Sequence, residues 1–401
     1  MHSKIITVIF CGLLVAAFSM AVFSQPDEES IRRENREVSQ MPGLNQSTVF
    51  SGRFAKDFEA YLNDKVAFRA SLTACSKELS GKKGVASKLG RVLTIDKDMG
   101  MGTTAKTPLI LYENTAAEVF TANPASREQY IQAVNKYARK MNPKIQMYLM
   151  VVPTQLEFMP PAYANIQSSQ KMTIQEIYNR VDSRVKTVDA YEWLSQHRDE
   201  YIYFRTDHHW TTVGAYYGYR AFCEAAGQKN VDIGSYQKHE LKPFLGTLYD
   251  QSLAKELEEN PDRIEWYDVD PEDSLQMKCS GLDEDKVLVD YQGTLYDHKL
   301  DGVYYRYFMG GDNPITRIRN DKQDNGKTLL MIKDSYANAF MPWIIQNYEK
   351  IILIDPRSFW TTIEEVLDAY HIDDFLLLNY VFTTTFEDYC SLLSNVYDYQ
   401  G

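Results

Sequence analysis

The feature that most constrains this chain is the C-terminal alternation of short apolar runs with helical patterns. Thr328–Lys333 reads as a strand, Ala337–Tyr348 as a helix and Lys350–Ile354 as a strand. Ile363–Tyr370 then reads as a helix, Phe375–Leu378 as a strand and Phe386–Tyr397 as a helix. Parallel strands need a crossover of about a dozen residues, and strands buried on both faces are apolar throughout. The alternation therefore predicts a doubly wound parallel α/β sheet. Upstream, a helical pattern over Arg127–Met141 leads into the apolar run Ile145–Val152, which Pro153 ends. Met172–Asp182 and Ala190–His197 are helical by pattern, Leu109–Leu111 and Tyr201–Phe204 are short strand candidates, and Thr211–Ala226 is a helix closed at Gly227. The stretch Ile233–Asn325 breaks the rhythm. It is acidic, rich in Tyr and Gly, and carries β-type fragments at Val287–Tyr291 and Val303–Met309, so it reads as a β-rich insertion. There is no internal repeat and no low-complexity tract.

The front of the chain speaks to compartment. Ile5–Phe23 is mostly apolar and uncharged, long enough for a membrane-spanning helix of about 20 residues. Lys4 precedes it and Asp27, Glu28 and Glu29 follow, which predicts that the remainder lies outside the cytoplasm. Residues 1–25 are thus a signal peptide or a signal anchor, with Ser19, Ala21 or Ser24 as small residues for cleavage. Residues 26–50 read as a polar tether. Phe54, Phe58, Tyr61 and Leu62 recur at helical spacing, followed by Val66 and Phe68, and Ser80–Gly90 reads as a loop. The division is therefore 26–100 for tether and helical segment and 101–401 for the α/β domain. A net charge of −12 excludes a protein that tracks a nucleic-acid backbone, because that role needs a surplus of cations. With 18 Phe, 28 Tyr and 5 Trp the chain can bury a large core, which excludes disorder. Cys11 lies in the apolar run, and Cys75, Cys223, Cys279 and Cys390 are widely spaced. With no CxxC and no Cys/His cluster, no zinc site is expected. Those four could form two disulfides or remain buried thiols, and Cys223, inside a helix, reads as a thiol.

In open α/β sheets, sites gather outside the carboxyl ends of strands. Three such ends carry polar groups. Thr154 and Gln155 follow Pro153, where ordinary loop residues would serve equally well. Thr206-Asp207-His208-His209-Trp210-Thr211 follows a short strand and precedes a helix, and holds two of the 7 His. Asp207, two residues before His209, can accept its Nδ1 proton and leave Nε2 free as a base. Lys333-Asp334-Ser335-Tyr336-Ala337 places Ser335 where a strand runs into a helix. There its own N–H and the helix dipole can stabilise an oxyanion. An arbitrary serine at that place is more often an N-cap, and so is an arbitrary Asp.

At these residues the chain resembles the DHHW family of bacterial surface proteins. That family is similar to the alginate O-acetyltransferase proteins AlgJ and AlgX, within the SGNH (GDSL-like) hydrolase superfamily. The resemblance runs from Glu34-Asn35-Arg36, Phe50-Ser51-Gly52-Arg53-Phe54 and Tyr61-Leu62-Asn63-Asp64 through Arg69 and Val152-Pro153-Thr154. It continues through the Thr206–Thr211 string, Gly214-Ala215 and Gly310-Gly311-Asp312-Asn313-Pro314 to Lys333–Ala337. It implies an SGNH-hydrolase-like sheet in circularly permuted order, with Asp207 and His209 before the nucleophile Ser335. His208 occupies the variable position. Gly311, Asn313 and Asn379 are candidate oxyanion donors or substrate contacts, with Trp210, His208 and Tyr336 as further contacts. The implied activity is serine-dependent acyl transfer, most simply of acetyl, to a cell-surface polysaccharide through an acetyl-enzyme. No cofactor is required. A membrane-bound O-acyltransferase of the MBOAT class is the implied donor partner, since acetyl-CoA is cytoplasmic. A carbohydrate acetylesterase with the same triad and a non-catalytic polysaccharide-binding scaffold are the alternatives. A serine peptidase is disfavoured by the flanking motifs.

Overall fold

A computed structural model describes residues 12, 39–44, 53–65, 91–98, 104–269, 274–282 and 288–397. Apart from residue 12, the apolar run 5–23 lies outside these residues, as do most of the tether, Val66, Phe68, Cys11, Cys75 and the loop 80–90. Among the described residues no helix is long and apolar enough to cross a membrane. Helix α1 (Arg53–Asp64) carries the helical spacing near the front, with Phe54 and Phe58 stacked at 5.7 Å. Strands β1 (Arg91–Asp98), β2 (Thr104–Tyr112) and β3 (Thr115–Glu118) form an antiparallel sheet. Leu109–Leu111 is the buried stretch of β2.

The main body follows in the order α2 (Pro124–Lys140), β4 (Gln146–Val152), α3 (Gln170–Arg180), β5 (Val185–Thr187), α4 (Ala190–Gln196) and α5 (Thr212–Ala226). Next come β6 (Lys238–Phe244), α6 (Thr247–Ser252), β7 (Asp262–Tyr267), β8 (Leu275–Leu282), β9 (Leu288–Gln292) and β10 (Ile315–Asn320). The chain closes with β11 (Thr328–Lys333), α7 (Tyr336–Ile344), β12 (Lys350–Ile354), α8 (Ile363–Ala369), β13 (Asp374–Tyr380) and α9 (Glu387–Asn395).

Eight strands form one sheet in the order β5-β4-β13-β11-β12-β10-β8-β9. The first five are parallel, as the apolar runs imply. The last three are not: β10 is antiparallel to β12 and β8, and β9 to β8. The expectation of a doubly wound parallel sheet is therefore corrected to a mixed sheet. The stretch 233–325 supplies these three strands to the main sheet as well as the separate β6–β7 ribbon. Antiparallel neighbours need no helical crossover, so a segment without the strand–helix rhythm can still cover the open edge of β12. Two strand candidates shrink to single bridges, Tyr203 to Trp210 and Tyr296 to Phe308. Val303–Met309 is instead a turn around the 3-10 segment Tyr305–Tyr307.

Helices cover both faces. Tyr137 of α2 lies 5.5 Å from Phe375 of β13, while Phe222 of α5 packs 5.1 Å from Tyr148 of β4 on the opposite face. All six residues of β11 and all seven of β13 are buried. Truncating one large aliphatic there to Ala costs about 2–5 kcal/mol. β11 has β12 on one side and β13 on the other. The chain therefore leaves β11 toward one flank and later returns on the other, which opens a crevice at the carboxyl end of β11. Cys223, Cys279 and Cys390 are buried free thiols.

Candidate active site

Ser335 stands in that crevice. It occupies the N-cap position of α7 in a helical conformation, yet its side chain makes no capping bond. Asp334 caps the turn in its place. Its Oδ1 accepts the Tyr336 N–H at 2.9 Å, and its Oδ2 accepts the Tyr380 N–H at 2.8 Å. The Ser335 hydroxyl is thereby released from the backbone. Burial pushes the Asp334 carboxyl up to about 6, against the bonds from Tyr336 and Tyr380 that favour its charged form. Among the described residues no acceptor takes the Ser335 backbone N–H.

The histidine turn is clamped from below. Asp262 Oδ2 accepts the N–H groups of Arg205 (2.8 Å) and Thr206 (2.7 Å) and the Thr206 hydroxyl (2.8 Å). Asp207 then directs Oδ1 at its own loop, accepting the His209 N–H at 2.9 Å and Nδ1–H at 2.6 Å. Its Oδ2 accepts the Thr247 N–H at 2.8 Å and hydroxyl at 3.1 Å. Burial pushes the Asp207 carboxyl up, but His209, His208 and the Thr247 N–H outweigh it and hold it far below the usual carboxylate range. A charged carboxylate only accepts, so His209 carries its proton on Nδ1 and offers the Nε2 lone pair. Nε2 lies 2.8 Å from Ser335 Oγ. Thr247 can approach only because residue 246 is glycine: a Cβ there would sit 2.2 Å from Asp207 Cβ.

The two turns are stitched together. Trp210 Nε1–H donates to the Tyr336 carbonyl at 2.8 Å, and the Tyr336 hydroxyl donates to the His208 carbonyl. Tyr305 lies flat on the His209 ring at 3.6 Å and donates its hydroxyl to the Ser335 carbonyl at 3.1 Å. Helices α5 and α7, which start at these turns, pack against each other.

A cavity of about 160 Å³ opens beside Ser335 and His209. Asp207, His209 and Ser335 line it, and of the substrate-contact candidates so do Gly311 and His208. Gly311 has a φ of +103°, and its N–H is committed to the Phe308 carbonyl at 3.2 Å. His208 Nδ1–H donates to Thr247 Oγ1 at 2.7 Å, because that hydroxyl's hydrogen goes to Asp207, and burial and the His209 charge push the His208 pKa well below the ordinary value. The other contact candidates sit elsewhere. Trp210, Tyr336 and Asn379 are 0% exposed, so none can touch a substrate from there. Asn379 spends its amide on Tyr130, Tyr389 and Asp334. Asn313 lies off the cavity wall and accepts from the Tyr291 hydroxyl. Thr154 is buried and tied to Gln170.

Local reading missed several wall residues. Asn338, one turn after Ser335, has its amide held at both ends: Lys333 Nζ donates to Oδ1 at 3.0 Å, and Nδ2 donates to Asp312 Oδ1 at 2.9 Å. Asp312 also accepts from Lys333 at 2.5 Å and from Arg357 at 2.7 Å. The i, i+3 spacing was the available signal for Asn338. Lys97 reaches the wall from β1, buried, 2.6 Å from Glu118 and beneath the rings of Tyr380 and Phe382. Nothing local announces Gly246, Thr247, Asp262 or Lys97. Asp207, His208 and His209 offer three ligand-type atoms within 4.8 Å, but the bonds to Ser335 and Thr247 already engage most of them.

A family model described as DHHW protein matches residues 99–354. A DHHW family protein from Eubacterium siraeum superposes with a TM-score of 0.63 at 25% identity, covering 77% of this chain and 100% of that one. PatB1 of Bacillus cereus superposes with a TM-score of 0.59 at 20% identity, covering 71% and 99%. The O-acetyltransferase domain of Pseudomonas putida AlgJ gives 0.40 at 12% identity, covering 72% and 98%. A search of curated proteins returns no match.

Proposed function

The chain belongs to the DHHW family, and from that premise we propose that it is a serine acyltransferase that moves acyl groups, acetyl above all, onto a cell-surface or secreted polysaccharide. The observation that carries this reading is the 2.8 Å contact between His209 Nε2 and Ser335 Oγ, with Asp207 on the far nitrogen. A scaffold has no use for a hydroxyl freed from capping and aimed at an oriented imidazole.

His209 takes the proton from Ser335 Oγ as that oxygen attacks the acyl carbonyl, and Asp207 stabilises the imidazolium. The tetrahedral adduct collapses, and the donor's leaving oxygen departs with the proton from His209. The acceptor hydroxyl then gives its proton to His209 as it attacks the acyl-serine, and Ser335 leaves and is reprotonated. The Ser335 N–H faces the developing oxyanion. The second hydrogen of Asn338 Nδ2 is the other donor, because Lys333 and Asp312 fix the amide so that it needs no reorganisation. Losing one such donor lowers kcat by about 10²–10³. The order Asp207, His209, Ser335 fits a circularly permuted SGNH-type site. The uncharged run 5–23 supports action outside the cytoplasm, from an anchored or secreted form. An MBOAT-class membrane partner supplying the acyl group fits that location.

The test is turnover of a chromogenic acetyl ester by wild type and Ser335→Ala, with mass spectrometry of Ser335 and of added oligosaccharides. Acetyl on Ser335 and then on sugar is the expected result. Acetyl released only to water would make the protein a carbohydrate acetylesterase. Absence of any Ser335 adduct would remove the enzyme reading.

A further inference from the structure

We propose that Tyr304 and Arg306 form the acceptor subsite, and that this subsite takes a glycan unit carrying an anionic group, carboxylate or phosphate, near its accepting hydroxyl. The inference rests on the acyl-transfer reading and names the acceptor's chemical class.

Tyr305 is fixed against both reacting side chains by its stack on His209 and its bond to the Ser335 carbonyl. Its chain neighbours Tyr304 and Arg306 line the same cavity. They therefore share that cavity with the His209–Ser335 pair that an acceptor hydroxyl must reach. The other cavity cations are matched. Lys97 pairs with Glu118, and Arg357 pairs with Asp355 at 2.5 Å and Asp312 at 2.7 Å. Arg306 is the exception. Among the described residues its guanidinium has no carboxylate partner, only the Tyr304 ring at 5.4 Å, and its Nε is buried without any acceptor. Gln251 lines the same cavity, its Oε1 buried without a donor among the described residues.

The half-buried guanidinium, without a carboxylate among the described residues, and the Tyr304 ring are complementary to one kind of ligand. A guanidinium fork matches a planar carboxylate or a phosphate. An aromatic ring suits the apolar face of a sugar. A neutral sugar would leave the charge of Arg306 unmatched.

The experiment uses the full chain and three acceptor series of equal length: neutral gluco-oligosaccharides, oligouronates, and oligosaccharides bearing phosphate. Transfer per acylated Ser335 is measured at low salt, and binding of each series to the Ser335→Ala protein is measured by calorimetry. Anionic acceptors are expected to exceed neutral ones by roughly 10–100-fold in both readouts, with salt eroding the difference. The uronate and phosphate arms tell which anion is taken. Arg306→Gln should bring the anionic-to-neutral ratio close to one, and Arg306→Lys should leave an intermediate ratio. Equal use and equal binding of neutral and anionic series by wild type would overturn the proposal. So would an unchanged ratio in a folded Arg306→Gln protein. Loss of Ser335 acylation altogether would strike the acyl-transfer reading, whereas anion-selective binding that depends on Arg306 would survive it.

Discussion

Asp207→Asn probes the site where the fewest alternatives exist. The wild-type carboxylate accepts four hydrogen bonds and donates none: two from His209 on Oδ1 and two from Thr247 on Oδ2. Asparagine has one oxygen. With that oxygen toward His209, its NH₂ opposes the Thr247 N–H, a lost buried bond of about 1–3 kcal/mol. With the oxygen toward Thr247, its NH₂ donates to Nδ1 and drives the proton to Nε2, where it blocks the base. Both orientations also remove the charge that steadies the imidazolium. For charge centres about 4 Å apart at an effective dielectric near 20, that attraction is roughly 4 kcal/mol. Adding the tautomer penalty gives about 4–6 kcal/mol, a fall of roughly 10³–10⁴ in kcat, in line with Asp→Asn changes in other triads. The assay is steady-state ester turnover alongside a sulfonyl fluoride labelling rate at Ser335, with thermal unfolding to show that the variant folds. A folded Asp207→Asn protein within about tenfold of wild-type kcat would refute the relay.

Three further outcomes follow from the packing. Gly246→Ala puts a Cβ 2.2 Å from Asp207 Cβ, so α6 must retreat from the carboxylate; turnover should fall by at least about tenfold and stability by about 1–3 kcal/mol, and unchanged kinetics would argue against Thr247 as Asp207's orienting partner. Lys97→Met leaves Glu118 buried and alone, which should cost about 3–5 kcal/mol in urea unfolding; the double change Lys97→Met, Glu118→Leu should recover most of it, and no recovery would refute a self-contained pair. For Asp334, burial raises the folded carboxyl to about 6, while the unfolded chain titrates near 3.8. Between those values the folded state holds a proton that the unfolded state has lost, so stability should fall as pH rises from about 4 to 6, by roughly 3 kcal/mol, and then level off. Asp334→Asn lacks that slope, and unfolding curves of the two proteins that run parallel in pH would refute the assignment.

Much of this protein was legible in one dimension, and the reason is periodicity. Continuous apolar runs at Ile145–Val152, Thr328–Lys333 and Phe375–Leu378 can be buried only on both faces, so the parallel half of the sheet was written in the residues. Strand-to-helix turns are equally local, which is why the segments holding Asp207, His209 and Ser335 could be picked out at all. Periodicity reports which face of an element is buried, but not what buries it. Trp210 and Tyr336 beside the motif looked like substrate contacts, yet they are sealed inside, donating to each other's turns across 126 and 128 residues. Asn379 at a strand end went the same way, consumed by two tyrosines and Asp334. The antiparallel strands from the irregular stretch found their partner in the open edge of β12, a property of the assembled sheet. Thr247 reached Asp207 across 40 residues only because Gly246 leaves it room. Arg306 is left without a carboxylate among the described residues, while Lys97 and Arg357 on the same cavity have theirs. Such pairings depend on where distant segments come to rest, and a single segment carries no record of that.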